Sequence, residues 1–177
     1  VNVVPNTVII NQIGQPDRPN ANIPFTANGN TQTLGEDDLS QTLYLNTDIP
    51  VTGNIYGMVY TYNNLLGAED VKHMPLKVWM AQTGVTELSG GWVPNSELVL
   101  VYDDTLEILP GFDREIYIPF NTPVTYSGLN NIVIQDYQYD PEWPPSIMRM
   151  YISDLPQNDP TRTIGVFDYY QLDPQVH

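Results

Sequence analysis

The sequence predicts an all-β domain, a two-sheet antiparallel sandwich of about ten short strands. Apolar and polar residues alternate with period two in one short run after another, at intervals of roughly 8 to 15 residues. Between the runs lie turn residues, drawn from 12 Gly, 16 Pro and many Asn and Thr. No stretch carries the i, i+3, i+4 apolar pattern of an amphipathic helix.

The clearest runs are in the middle. Leu76, Val78 and Met80 alternate with Lys77, Trp79 and Ala81, and Ile116, Ile118 and Phe120 alternate with Glu115, Tyr117 and Pro119. Leu98 to Tyr102 is apolar throughout, which predicts a strand covered on both sides or lying under a loop. Trp79 and Trp92 are read as packing residues.

Taken in order, Val1 to Ile10 is interrupted by Pro5, so residues 1–11 read as an edge strand or a linker. Residues 12–40 read as an extended loop, with Phe25 as its anchor. A strand is predicted at Gln41–Asn46 and a longer one at Asn54–Tyr62, where Tyr56, Met58, Tyr60 and Tyr62 share one face. That stripe is either buried or a platform for sugar rings or a partner. Asn63 to Pro75 reads as a loop holding His73, and one helical turn is expected at Thr86–Ser89. A short strand at Leu106–Leu109, a turn at Asn121–Gly128 and a strand at Asn131–Gln135 follow. The next loop interleaves Asp136, Asp140 and Glu142 with Tyr137, Tyr139 and Trp143, a candidate binding rim or a loop packed by its own rings. Strands at Ile147–Ile152 and Thr163–Asp168 end the series.

Composition sets the bounds. A chain of 177 residues is one domain and buries a core without staples, and it has no cysteine to make any. Six basic residues against 21 acidic ones give a net charge of −15, which excludes nucleic acid and anionic membrane as partners. No run is long and apolar enough to span a membrane. A serine triad or a histidine zinc site would depend on His73 or His177, neither in a suitable motif, so no enzyme is expected.

Calcium is the one cofactor the acids admit, and it would be assembled from separate loops with Glu36, Asp37, Asp38, Asp136, Asp140 and Asp154 as donors. The same acids also read as solvated turns. Asp104-Thr105-Leu106 matches a short O-glycosylation acceptor used by some secreted bacterial proteins, with Thr105 as the acceptor.

Six segments read together carry a family resemblance: Ser40–Leu45, Gly53–Tyr60, Pro75–Ala81, Gly91–Pro94, Leu98–Asp103 and Ile118–Gly128. Over residues 8–168 the chain resembles a β-sandwich module of large secreted and cell-surface proteins of the Bacteroidetes and related phyla, and more distantly the cleaved-adhesin domains. Its first 40 residues are longer and richer in proline than that pattern. The resemblance implies a jelly-roll-like sandwich, an extracellular or cell-surface location reached by a type IX-like pathway, a role in adhesion or display, and, by analogy, Ca²⁺. It implies no catalytic residue.

Three functions follow as expectations. The first is a non-catalytic module whose partners are neighbouring modules. The second is a filament subunit that joins copies of itself by strand addition through residues 1–11. The third is a carbohydrate-binding module using Tyr137, Tyr139 and Trp143, or Tyr56, Tyr60 and Tyr62.

Overall fold

The structure, a computed structural model, describes residues 16–21, 37–64, 71–138, 148–153, 161–168 and 174. These residues form nine strands: β1 (Pro16–Ala21), β2 (Asp37–Tyr44), β3 (Gly53–Asn64), β4 (Lys72–Thr83), β5 (Val99–Ile108), β6 (Gly111–Tyr126), β7 (Asn131–Gln138), β8 (Met148–Ser153) and β9 (Thr163–Asp168). A four-stranded sheet has the order β1-β8-β3-β6, and a five-stranded sheet the order β5-β4-β7-β2-β9. Every pairing is antiparallel.

The pairs β1·β8, β2·β7, β3·β6 and β4·β5 are nested. The chain is therefore one long hairpin folded over on itself, with alternate pairs assigned to alternate sheets. That is the jelly-roll topology, and β9 adds a further strand outside β2.

Alternation along the strands builds the core between the sheets. Leu76, Val78 and Met80 of β4 and Ile132 and Ile134 of β7 meet Ile116, Ile118 and Phe120 of β6 and Tyr62 of β3. Burying each such side chain contributes about 1.5–3 kcal/mol. The five-stranded sheet has a second apolar face, where Leu43, Ala81 and Val133 lie under Leu88 and Val93. Leu39, Trp79 and Tyr137 complete it, with Trp92 and Leu98 against them. The connection from β4 to β5 is thus a strap across the outside of this sheet. All eight residues of β7 are buried for that reason.

Several elements differ from expectation. β2 begins at Asp37 rather than Gln41, and β7 runs on through Asp136 and Tyr137 to Gln138 rather than stopping at Gln135. Pairing with each other over Asp38 to Tyr44 holds both in strand geometry, so Asp37, Asp38, Asp136 and Tyr137 are not loop residues. β4 starts at Lys72, which makes His73 an exposed strand residue instead of a loop residue. β6 is continuous through Pro119 and Pro123, where a turn was expected at 121–128; as the edge of its sheet it lacks one set of ladder bonds and tolerates proline. β5 is likewise one strand through Asp103 and Asp104. The expected helical turn at 86–89 is absent, and a 3-10 turn occurs instead at Asn95–Glu97.

Two irregularities change which way side chains point. The Leu98–Tyr102 run is not covered on both sides, since Val99 is 63% and Leu100 43% exposed on the edge strand β5. A register shift opposite Val78 and Trp79 instead lets the consecutive residues Val101 and Tyr102 both enter the core. A second shift, between Ile55 and Gly57, breaks the predicted tyrosine stripe: Ile55, Met58 and Tyr60 pack inward, while Tyr56 is expelled to the surface.

Candidate functional site

The five-stranded sheet places acids and amides on both of its faces. On the outer face Gln41 is fully buried; its amide nitrogen donates to the Val93 carbonyl at 2.9 Å and to Gln135 Oε1 at 2.8 Å. Its oxygen accepts the Val93 N–H at 2.8 Å, and Gln135 Nε2 donates to Asn95 Oδ1 at 3.1 Å. These bonds fasten the strap to β2 and β7. Further along, the Tyr137 hydroxyl donates to Asp37 Oδ2 at 2.9 Å.

The inner face carries Asp136, with 0% exposure. Tyr60 donates its hydroxyl to Asp136 Oδ2 at 3.3 Å, and the Tyr44 and Tyr60 hydroxyls are hydrogen bonded to each other. Burial pushes the Asp136 carboxyl up to about 8, against the opposing pull of the Tyr60 hydrogen bond. Burial first, and the Asp136 charge second, raise both phenols as well. Asp136 Oδ1 and Gln138 Oε1 are buried acceptors without a hydrogen-bond partner. They sit two residues apart on one strand face, and a proton on Asp136 would turn one of its oxygens into a donor. Burial thus favours the neutral acid at Asp136, whose side chain has no exposed surface.

The acids proposed for calcium are dispersed by this arrangement. Asp37 faces outward toward Tyr137, whereas Asp38 and Asp136 face inward, so Asp37 and Asp136 do not share a site. Among the described residues, no three His, Cys, Asp or Glu side chains gather as metal ligands. Glu36, Tyr139, Asp140, Trp143 and Asp154 lie outside the described residues. Thr105 is exposed on β5, and its backbone N–H is held by Asp104 Oδ1 at 2.8 Å.

Of the aromatic candidates, Tyr137 is buried and Tyr62 is in the core. The Tyr62 hydroxyl donates to the Leu109 carbonyl and accepts the Leu109 N–H, both at 3.1 Å, which pins the corner between β5 and β6. Tyr60 faces Asp136. Among the described candidates only Tyr56 is exposed, at 56%.

Beside Tyr56 lies a ring that alternation alone did not single out. Tyr117 projects from the outer face of β6, 55% exposed, opposite the exposed Val59. A Cβ placed on Gly57 would lie 2.6 Å from a Tyr117 ring carbon and 2.7 Å from its hydroxyl. The ring therefore lies over Gly57, a position of β3 that has no side chain. Its hydroxyl donates to the Tyr56 carbonyl at 3.2 Å. The sequence signal was a glycine amid β-branched and aromatic residues on a strand, which marks a close approach.

Compared with known proteins, no family model matches the chain, and no curated protein or solved structure matches it either. No helix among the described residues is long and apolar enough to cross a membrane.

Proposed function

We propose that the chain is a non-catalytic module of an extracellular or surface-displayed bacterial protein, and that its role is adhesion or display. The observation that carries this reading is the unequal treatment of the two outer faces. The five-stranded sheet is strapped over, whereas the β3–β6 portion of the four-stranded sheet turns Tyr56 and the hydrogen-bonded Tyr117 to solvent. A display module needs a sealed body and one presented surface. Its net charge of −15 favours solubility and keeps copies apart.

Beads coated with the 177-residue chain are expected to adhere to a cell or matrix surface that albumin-coated beads leave bare. Equal, background adhesion of both would end the proposal. Calcium, for which Glu36, Asp140 and Asp154 are the remaining candidate ligands in this reading, should raise the melting temperature relative to a chelated sample. Identical melts would remove it.

Strand addition is a second reading, favoured by the position of β5 at the edge of its sheet among the described residues, with Val99 and Leu100 exposed. It predicts that removing residues 1–11 abolishes assembly. A chain that is monomeric with or without those residues contradicts it.

A further inference from the structure

We infer that the surface around Tyr117 and Tyr56 is a stacking platform for a neutral glycan. The inference rests on the adhesion reading and gives it a ligand class.

The geometry of Tyr117 is that of a platform rather than of a loose surface ring. Ring carbon Cε2 and the hydroxyl both lie within contact of the Gly57 position, so this edge of the ring rests against β3 while the residue stays 55% exposed. The bond from its hydroxyl to the Tyr56 carbonyl fixes the ring's angle. An aromatic held this way has little rotamer freedom left to lose when a ligand arrives. Tyr56 joins it because the bulge turns both Tyr56 and Gly57 to the outer side, between the inward Ile55 and Met58. On the same face Thr125 Oγ1 donates to Asn54 Oδ1 at 2.9 Å, an exposed hydroxyl and amide pair beside the rings.

Three classes of ligand stack on an exposed tyrosine, and the surroundings choose among them. A nucleobase brings a phosphate backbone, which a chain of charge −15, with the exposed acids Asp113 and Glu115 on β6 itself, repels. A protein partner needs roughly 800 Å² on each side; next to Tyr117 the described exposed apolar residues are Tyr56, Val59 and Pro119, with Phe112 and Pro123 farther along β6. A pyranose offers an apolar C–H face to the ring and hydroxyls to groups such as Asn54 and Thr125. Uncharged, it meets no repulsion.

The test is affinity electrophoresis of the intact 177-residue chain through gels containing β-glucan, xylan, mannan or dextran. Chondroitin sulfate and single-stranded DNA serve as charged comparisons. At least one neutral polysaccharide is expected to retard the chain. Tyr117→Ala should weaken that retardation roughly tenfold or more, while Tyr117→Phe, which keeps the ring, stays within about threefold. Circular-dichroism melts accompany each variant, and Tyr56→Ala, which leaves the Gly57 contact in place, should also weaken retardation if Tyr117→Ala fails to fold. No retardation by any neutral polysaccharide, undiminished retardation of folded variants, or retardation by the charged polymers alone would overturn the inference. Bead adhesion that survives such a result leaves the adhesion reading standing, and loss of both removes both.

Discussion

The outer faces of the two sheets are built to opposite ends. On the five-stranded sheet, Leu43, Val133 and Trp79 lie beneath a strap, and the amides of Gln41 and Gln135 hold that strap down. On the β3–β6 portion of the other sheet, Val59 and Tyr117 face solvent as a cross-strand pair with nothing described above them. The same period-two pattern therefore means core on one sheet and surface on the other. Alternation separates the two faces of a strand, but only the connecting segments decide whether the second face is covered.

The largest expected effect tests that contrast directly. Leu43→Ala, under the strap, should cost about 2–5 kcal/mol in denaturant unfolding, and Val59→Ala, on the open face, within about 0.5 kcal/mol. Equal losses would mean that the open face is covered too.

Asp136 tests the sealed interior by its pH dependence. Its carboxyl is raised from 3.8 to about 8 in the folded chain, so the folded state binds the proton more tightly than the unfolded state. The stabilising contribution is complete below the unfolded value and is lost as pH rises from about 4 to about 8, by at most about 1.4 kcal/mol per pH unit. Asp136→Asn keeps an acceptor for Tyr60 and removes the ionisable group. Its melting temperature should match the parent near pH 4, exceed it at pH 8, and vary less between them. Parallel pH profiles would show that Asp136 is ionised in the fold.

A smaller effect is expected at the strap. Gln41→Leu leaves the buried N–H and carbonyl of Val93 without their side-chain partner, a loss of roughly 1–3 kcal/mol. Hydrogen exchange at Val93 should accelerate in the variant, and unchanged protection would assign the strap to apolar contacts alone. The smallest effect belongs to Lys77 and Asp103, an ion pair at 3.0 Å with both side chains about a third or more exposed. Lys77→Ala should shift stability by less than about 1 kcal/mol, and by less still in high salt.

Much of the fold was legible in the chain. The runs at Asn54–Tyr62, Leu76–Ala81, Glu115–Phe120 and Thr163–Asp168 all lie within strands, and the all-β sandwich follows from them. Their faces were less legible, because a register shift by an odd number of residues reverses every inference of orientation beyond it; Tyr56 and the pair Val101 and Tyr102 are where this happened. Asp136 and Tyr137 read as loop because acids and tyrosines alternate there with turn formers. Their place in the strand depends on pairing with β2, nearly a hundred residues away in the chain. Gln41 and Gln135 look like solvent-facing strand residues until the strap is in place. Tyr117 was one ring among 12 tyrosines, and its position follows from a glycine on a neighbouring strand.

The nesting of the strand pairs also has a kinetic side. Of the nested pairs, β4 with β5 and β3 with β6 join the segments nearest in sequence; Pro16 must meet Ser153, and Asp37 must meet Asp168. Closing such long loops precedes the contacts that reward it, which makes folding slow by comparison with helical domains of this size. During synthesis the central hairpin would wait, apolar on two sides, for the last strands to emerge. The acids along β5 and β6, Asp103, Asp104, Glu107, Asp113 and Glu115, lie on that first-formed hairpin and would keep its waiting edges from pairing with another chain.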